Sequence, residues 1–239
     1  MKTQSIKQFF SLASKFLFMY YLFRGELFLR AVAAKYDQKN KKLLDIGAGE
    51  SPYRKYFKHT TYVTYDIKQN LKHTIDIVGD INRGIPKVSS KSFDYILCVQ
   101  VLEHLSEPHK VFGEFNRILK EGGKVFLSTN FFYQIHMAPY DYFRFTKYGL
   151  QHLAESNGFH VDRIEPHGGI FHTISYLVAT LPIRIVIRDN KYLYYFYLFL
   201  FSVPIVLLNL VAFFLDHFDK HKEITINYAA IFTKQGRKS

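Results

Sequence analysis

Short apolar runs alternate with helical stretches from residue 41 onward, and this pattern predicts an α/β fold. Lys42–Ile46, Thr61–Asp66 and Phe93–Val99 are the clearest strand candidates. Phe93–Val99 is almost wholly apolar, as expected for a parallel strand buried on both faces. Further strands are predicted at 74–78, 124–129, 159–164 and 224–233, and helices at 108–119 and 148–157, with a stop and turn at 121–123. This alternation indicates a doubly wound, mostly parallel sheet.

Two apolar regions do not follow this alternation. In residues 6–34, large aromatic residues recur near helical spacing between basic residues, which predicts an amphipathic helix, broken near Gly25. Such a helix either lies on a membrane surface or packs on its own domain. The second region comprises residues 171–187 and 192–215. The latter stretch has no charged residue, is long enough to span a bilayer, and contains Pro204, which predicts a kink.

Topology limits how the second apolar region can meet a membrane. If 224–233 pairs in the same sheet as 159–164, the chain must return to the side it left, so a single crossing is excluded. A double crossing would place Arg184, Arg188 and Lys191 on the far side, against the positive-inside tendency. We therefore expect a hairpin embedded in one leaflet. A soluble helical subdomain and a homodimer interface are the alternatives.

Composition adds a partner class to this picture. The chain has 239 residues and a formal net charge of +12. A charge of this size predicts attraction to a polyanion, such as anionic lipid, nucleic acid or an acidic substrate. Cys98 is the only cysteine, so an internal disulfide is excluded and a cytosolic location is permitted.

A strand, an acid and a glycine turn stand at 43–49, with the sequence Leu-Leu-Asp-Ile-Gly-Ala-Gly. Glycines there let the backbone approach a bulky ligand. A dinucleotide fingerprint would have a third glycine two residues later, where this chain has Ser51, so a pyrophosphate cradle is disfavoured. Asp66 ends the second strand, where a carboxylate can accept hydrogen bonds from ribose hydroxyls, and Asp80 follows the third. Each acid alone is more often a turn former or a helix cap.

The ordered set of motifs resembles the class I S-adenosylmethionine-dependent methyltransferases, of the type 11 methyltransferase domain group. The resemblance covers about residues 41–159 and the final strand. It implies a Rossmann-like seven-stranded sheet, mostly parallel with an antiparallel last strand, and S-adenosylmethionine as cofactor. The resemblance implies that the methionine part of the cofactor is contacted by Asp45, Gly47, Ala48 and Gly49, and the ribose by Asp66. It implies that the adenine is contacted by Ile67, Asp80 and Ile81, and the sulfonium side by Val99 and Gln100.

Methyl transfer to a hydroxyl needs a base, and histidine is suited to that role near neutral pH. Glu103-His104 resembles the Glu-His pair that follows the fourth strand in ubiquinone-pathway O-methyltransferases. Some of those enzymes hold a metal with a further acid three residues before the Glu. Here that position is Gln100, so no metal is expected. The alternative for His104 is a helix-start residue bonded to backbone.

A second set of candidates lies at 130–146, after the fifth strand. Residues 139–146 resemble a segment of methyltransferases from surface-glycan gene clusters. A loop here would cover the strand ends as a lid, with His136 as the favoured base. Arg144 would pair with Asp141 or bind an anionic substrate group. The alternative is a lid held by that pair with no chemical role.

These patterns divide the chain into an N-terminal amphipathic helical segment (1–38), a methyltransferase domain (39–165), a hydrophobic helical insertion (166–222) and a final strand with a basic tail (223–239).

The predicted function is O-methylation of a membrane-associated acceptor: a lipid-linked glycan, a quinone or another polyprenyl compound. The expected location is the cytoplasmic face of a membrane, peripheral or monotopic. The alternatives are a catalytically silent membrane scaffold and, less favoured, a nucleic-acid methyltransferase. The nucleic-acid methyltransferase is less favoured because this chain has no Asn/Asp-Pro-Pro-aromatic motif after the fourth strand, where base-modifying enzymes often hold the flipped base.

Overall fold

The structure, a computed structural model, describes Lys15 and residues 19–187 and 190–236. The chain divides into two compact units. One comprises Met1–Leu27 with Pro166–Asn227, and the other Phe28–Glu165 with Tyr228–Ser239. The second unit holds most of the sheet and all the predicted site residues. Most of the helical segment before residue 19 lies outside the described residues.

A seven-stranded sheet forms the centre of the larger unit, in the order β3-β2-β1-β4-β5-β7-β6. Parallel pairing joins β1 to β2 and β4, β2 to β3, and β4 to β5. This arrangement confirms the predicted fold class. The strands are β1 (Lys42–Ile46), β2 (Thr61–Asp66), β3 (Ile77–Val78), β4 (Phe93–Val99), β5 (Leu119–Asn130), β6 (Phe159–Pro166) and β7 (Asn227–Lys234).

The last two strands run antiparallel to each other. The amide of His167 donates to the carbonyl of Asn227, and the amide of Gln235 donates to that of Gly158. The residue numbers of the hydrogen-bonded pairs therefore increase along one strand while they decrease along the other. The chain thus returns to the strand next to β6 after the apolar insertion, which is the premise on which the exclusion of a single membrane crossing rests.

Helices α1 (Tyr20–Tyr36), α2 (Pro108–Ile118) and α3 (Lys147–Glu155) accompany the sheet. The apolar face of α2 is fully buried through Val111, Phe112, Phe115 and Ile118 in the core cluster that also contains β4. Thr146 caps α3 by accepting from the Gly149 amide at 3.0 Å. Helices pack on the buried central strands, as a parallel sheet requires.

Several predicted elements differ from the structure, among them the last strand, which begins at Asn227 and not at 224. The predicted strand at 74–78 is reduced to β3 because Asp76 Oδ2 accepts from the backbone and the hydroxyl of Thr64, so side-chain bonds replace the ladder there. The predicted stop at 121–123 is instead an irregularity within β5, with Gly122 at φ +72° and a register shift against β4. Helix α1 continues through Gly25, where no break occurs.

The smaller unit is dominated by a helical hairpin, comprising α4 (Ile170–Pro182), a π-helical turn (Ile183–Ile187) and α5 (Lys191–Leu215). The Tyr197 hydroxyl donates to the Ala179 carbonyl at 2.7 Å, and the Ser175 hydroxyl donates to Asn209 Oδ1 at 3.0 Å. The helices are therefore antiparallel. The helix continues through Pro204, and the predicted kink there stays a prediction.

A polar cluster closes the open end of the hairpin. Asp216 Oδ2 accepts from the Gly169 amide and Asp219 Oδ2 from the Ile170 amide, so both acids satisfy free N–H groups at the start of α4. Lys222 pairs with Asp216 at 2.7 Å, and the buried His172 lies 3.1 Å from the same carboxylate. The two ends of the hairpin are thereby held together.

The hairpin is long and apolar enough to cross a membrane, by length and composition. Ile170–Ile187 has a mean hydropathy of 1.7 and Lys191–Leu215 of 2.6, with only 28% and 17% of those stretches buried. Exposed apolar side chains line one face of α5 along its length, among them Phe196, Phe199, Val203, Leu207, Val211 and Phe214. A soluble core helix would bury most of these residues.

Candidate active site

The glycine turn after β1 needs glycine for two different reasons. Gly47 and Gly49 have φ of +68° and +51°. A Cβ on Gly47 would lie 2.3 Å from Val101 Cγ2, so the turn packs directly on the segment after β4. A Cβ on Gly49 would meet nothing within 4 Å. The second glycine therefore borders open space, where the backbone is available to a ligand.

Asp66 lies beside this turn. Its Oδ2 accepts from the Gly49 amide at 2.8 Å, and Asn70 Nδ2 donates to the Gly49 carbonyl at 2.8 Å. Ile67 is 66% exposed. A carboxylate, a bare backbone and an apolar side chain thus meet at the carboxyl ends of β1 and β2, which suits the ribose hydroxyls and the adenine of the implied cofactor.

Asp45 is buried within β1, beside Ile46 and below the turn. Its Oδ2 accepts a hydrogen bond from the Tyr62 hydroxyl at 2.5 Å. Burial raises the pKa of Asp45 to about 7, against the lowering effect of that hydrogen bond. Ala48, in the turn, is 3% exposed. Asp45 therefore joins β1 to β2 inside the domain, directly before the glycine turn.

Asp80 and Ile81 lie at a short 3-10 helix, Ile81–Arg83. Asp80 Oδ1 accepts from the Asn82 amide at 3.0 Å, so this acid caps the helix. Ile81 is 5% exposed and belongs to the main core. The second carboxylate oxygen of Asp80 lies 3.5 Å from Arg83 Nε, and the buried Ile81 offers an adenine little surface.

Val99 and Gln100 end β4. Gln100 has a φ of +56°, which is uncommon for a residue other than glycine and occurs often at functional sites. Its amide donates to the Ser128 carbonyl at 2.8 Å, and its side-chain Nε2 donates to Ser128 Oγ at 3.1 Å. The Gln100 side chain is therefore directed to β5.

Glu103 is the central buried group of the site, in a 3-10 helix formed by Leu102–His104. Its Oε2 accepts from Thr129 Oγ1 at 2.8 Å and its Oε1 from Asn130 Nδ2 at 2.7 Å. Its backbone carbonyl accepts from the amides of Tyr142 and Phe143. Burial raises the pKa of Glu103. This residue joins the end of β4, the end of β5 and the segment 131–146, which we call the lid.

The lid brings His136 against His104. The two rings have centroids 4.6 Å apart at an interplanar angle of 74°. His104 Nδ1 lies 2.7 Å from the Tyr140 carbonyl, and His136 Nδ1 lies 3.2 Å from the Gln134 carbonyl. A carbonyl only accepts, so Nδ1 is the donor in each ring and Nε2 carries the lone pair of the neutral form.

Asp141 and Arg144 fix the shape of the lid. Each guanidinium nitrogen, Nη1 and Nη2, donates to a different oxygen of Asp141 at 2.7 Å. The Arg144 guanidinium holds the pKa of Asp141 well below its ordinary value. Asp141 Oδ2 also accepts from the His136 amide at 2.9 Å and lies 3.3 Å from His136 Nδ1. The pair is thus an internal clamp that orients His136.

The structure brings the predicted base candidates together in one cluster, and it places Asp66 and the glycine turn at the same edge of the sheet. It adds residues that the sequence analysis missed. The carboxylate of Glu103 was noted there only as the neighbour of His104, and its partners on β5 had no signal in the chain. Tyr62 and Asn70 were also missed, because each acts through a contact distant in sequence.

A family model described as a methyltransferase domain matches residues 18–164. Among curated proteins, the ubiquinone biosynthesis O-methyltransferase of Xanthomonas oryzae pv. oryzae is 47% identical over 111 residues, which cover 41% of this chain and 46% of that protein. The tRNA U34 carboxymethyltransferase of Campylobacter fetus is 36% identical over 75 residues, covering 31% and 25%. The chain thus spans less than half the length of these relatives.

Solved structures show the same fold at low identity. An S-adenosylmethionine-dependent methyltransferase from Archaeoglobus fulgidus superposes with a TM-score of 0.57 at 15% identity, covering 95% of this chain and 99% of that one. A putative sarcosine dimethylglycine methyltransferase from Galdieria sulphuraria gives 0.55 at 16% identity, covering 89% and 86%. The family model spans more than half of the chain, so the chain belongs to the methyltransferase domain family, in agreement with the class I methyltransferase resemblance read from the motifs.

Proposed function

We propose that this protein transfers a methyl group from S-adenosylmethionine to a hydroxyl of a lipid-soluble, quinone-type acceptor delivered from a membrane. The observation that carries the proposal is the convergence of Glu103, His104 and His136 at the carboxyl ends of β4 and β5. The glycine turn after β1 lies at the same edge. The names of the ubiquinone-pathway relatives support the acceptor class.

The cofactor end of the site supports an adenosyl ligand. Asp66 can accept hydrogen bonds from ribose hydroxyls while it holds the Gly49 amide, and the exposed Ile67 provides an apolar surface for adenine. The cofactor supplies the activated methyl group, and the protein supplies orientation and proton removal.

The histidines supply the acid–base chemistry. Both rings direct Nδ1 to acceptors within the protein, which leaves the Nε2 lone pairs for an acceptor hydroxyl. The carboxylate of Asp141 stabilises the positive charge that develops on His136 as it takes the proton. Clamping by Arg144 keeps this carboxylate ionised over the physiological pH range.

The hairpin supports membrane delivery of the acceptor. Its antiparallel helices begin and end beside one polar cluster, so both ends lie on one side of any bilayer that it enters. The exposed apolar face of α5 requires an apolar solvent or partner. The formal charge of +12 favours the anionic leaflet surface.

Methylation of vesicle-embedded quinone precursors tests the function. We expect the full-length protein to transfer labelled methyl groups to a hydroxylated polyprenyl quinone precursor, and His136→Ala to reduce turnover at least about a hundredfold with cofactor affinity unchanged. His160→Ala, a histidine on β6 outside the cluster, is the matched control. Full activity of the His136 variant would remove it from the mechanism, and transfer to RNA rather than lipid would replace the acceptor class.

Cofactor binding separates an enzyme from a silent scaffold. Calorimetric titration of the wild-type protein with S-adenosylmethionine should give saturable heat, and Asp66→Ala should abolish it because the ribose hydroxyls lose their acceptor. No heat with the wild-type protein would support the scaffold, and an unchanged affinity in the variant would show that the ribose site is misassigned.

Labelling of the hairpin tip tests its depth. Cys98 is fully buried, so a cysteine introduced by Tyr192→Cys is the accessible thiol in the described part of the chain. We expect a one-leaflet hairpin, which leaves this cysteine unmodified by a membrane-impermeant maleimide added outside intact cells. Labelling from outside would show a double crossing.

A further inference from the structure

The histidine cluster, which we define as Glu103, His104 and His136, has the donor set of a metal site. One ligand atom from each residue lies within 4.8 Å of the other two. Two residues come from the 3-10 helix after β4, and the third comes from the lid. The site therefore joins two segments that are separated by more than thirty residues in the sequence.

The surroundings orient these donors in the way that metal ligands require. The Tyr140 carbonyl accepts from His104 Nδ1 at 2.7 Å, and the Asp141 carboxylate lies 3.3 Å from His136 Nδ1. An outer carboxylate or carbonyl bonded to one ring nitrogen fixes the tautomer and makes the other nitrogen a better ligand. The Nε2 lone pairs of His104 and His136 are therefore both available to bind a metal ion.

Glu103 is a buried carboxylate without a cationic side chain bonded to it. Its two oxygens accept from Thr129 and Asn130, both neutral donors, and no Lys or Arg in the described ranges forms an ion pair with it. Each oxygen retains a second lone pair. A buried carboxylate of this kind is stabilised by a bound cation.

The chemistry of the set identifies the class of ion. Two imidazoles with one carboxylate favour first-row transition ions such as Zn²⁺, Fe²⁺, Co²⁺ or Mn²⁺, whereas Mg²⁺ and Ca²⁺ prefer oxygen donors. Gln100 donates its side-chain amide to Ser128 and is not part of the set. His136 provides the third donor.

We propose that Glu103, His104 and His136 bind one divalent transition-metal ion, with His136 carrying the lid onto it. The expectation of no metal, which rested on Gln100, is replaced by this proposal. A bound ion at this position would occupy both Nε2 lone pairs. By lowering the pKa of an acceptor hydroxyl that reaches it, the ion would take the place of His136 as the group that promotes loss of the proton. Only this consequence rests on the proposed function; the site itself does not.

Cobalt titration tests the site without cofactor or acceptor. The full chain, purified in detergent without a histidine tag and stripped with a chelator, should bind one Co²⁺ with visible d–d absorption. His136→Ala, His104→Ala and Glu103→Gln should each weaken binding at least about tenfold, whereas His160→Ala should not.

Protease protection of the lid gives a second measurement. Cleavage within 131–146 should slow on addition of Co²⁺ in the wild-type protein and stay unchanged in His136→Ala, with S-adenosylmethionine affinity verifying the fold of each variant. Absence of binding by the wild-type protein, or equal binding in His136→Ala, would overturn the proposal. Metal binding without methyl transfer would count against the proposed acceptor and leave the site intact.

Discussion

Strand β4 and helix α5 are both strongly apolar, yet they have opposite surroundings. Six of the seven residues of β4 are buried, between β1 and β5 and under α2. Only 17% of the apolar stretch in α5 is buried, although it is longer and carries no charge after Lys191. Two apolar segments therefore have two different surroundings: the protein interior for β4 and, as we propose, lipid for α5.

The contrast extends to polar groups. In the sheet unit, buried polar side chains meet at strand ends, where the Glu103 carboxylate and two histidines form the site. In the hairpin unit, Asp216 and Asp219 cap the first turn of α4, which keeps the two helices joined at their open end. Burial of polar groups serves chemistry in one region, as we propose, and closure of the hairpin in the other.

The largest effect expected is from the same substitution made in both regions. Leu97→Ala in β4 removes a fully buried side chain and should lower the free energy of unfolding by about 2–5 kcal/mol. Leu207→Ala in α5, where the side chain is 57% exposed, should cost less than about 0.5 kcal/mol in detergent. Denaturant titrations of both variants measure the difference. Equal losses would show that α5 is a core helix.

A charge introduced on α5 tests whether this helix lies in lipid while β4 lies in the protein interior. Leu207→Asp should reduce retention on vesicles, because an acid at the centre of a membrane helix costs about 3 kcal/mol. Cofactor affinity in detergent should stay at the wild-type value, because the substitution lies in the other unit. Flotation with anionic vesicles measures retention. Full retention, or lost cofactor binding, would contradict the assignment of α5 to lipid.

A smaller effect, in pH dependence, is expected inside the sheet unit. The pKa of Asp45 rises from its ordinary 3.8 to about 7 on folding, so the folded state binds the extra proton between these values. Stability from this group is then present at low pH and falls by about 2 kcal/mol between pH 5 and pH 7. Asp45→Asn should flatten that slope. Thermal unfolding at the two pH values measures it, and an unchanged slope would show that Asp45 is ionised.

Much of the sheet was predictable because its signals are local. Apolar runs bounded by turns predicted β1, β2 and β4 at their observed bounds, and the two glycines after β1 predicted the turn there. Boundaries failed where distant contacts decide them. Asp76 shortens β3 through Thr64, and β5 begins five residues earlier than predicted because its irregular start pairs with Phe93.

The sequence by itself determined the alternating architecture, the acid-and-glycine order of the predicted cofactor site and the presence of a long apolar tract, because each depends on residue type and spacing along the chain. Only the tertiary structure decided that Glu103 is buried under Thr129 and Asn130, and that His136 meets His104. The physical reason is that parallel strands bring their carboxyl ends to one edge, so residues 26, 27 and 32 positions apart become neighbours. Whether an apolar segment lies in the protein interior or in lipid likewise depends on what packs around it, and the hydrophobic pattern alone does not specify those neighbours.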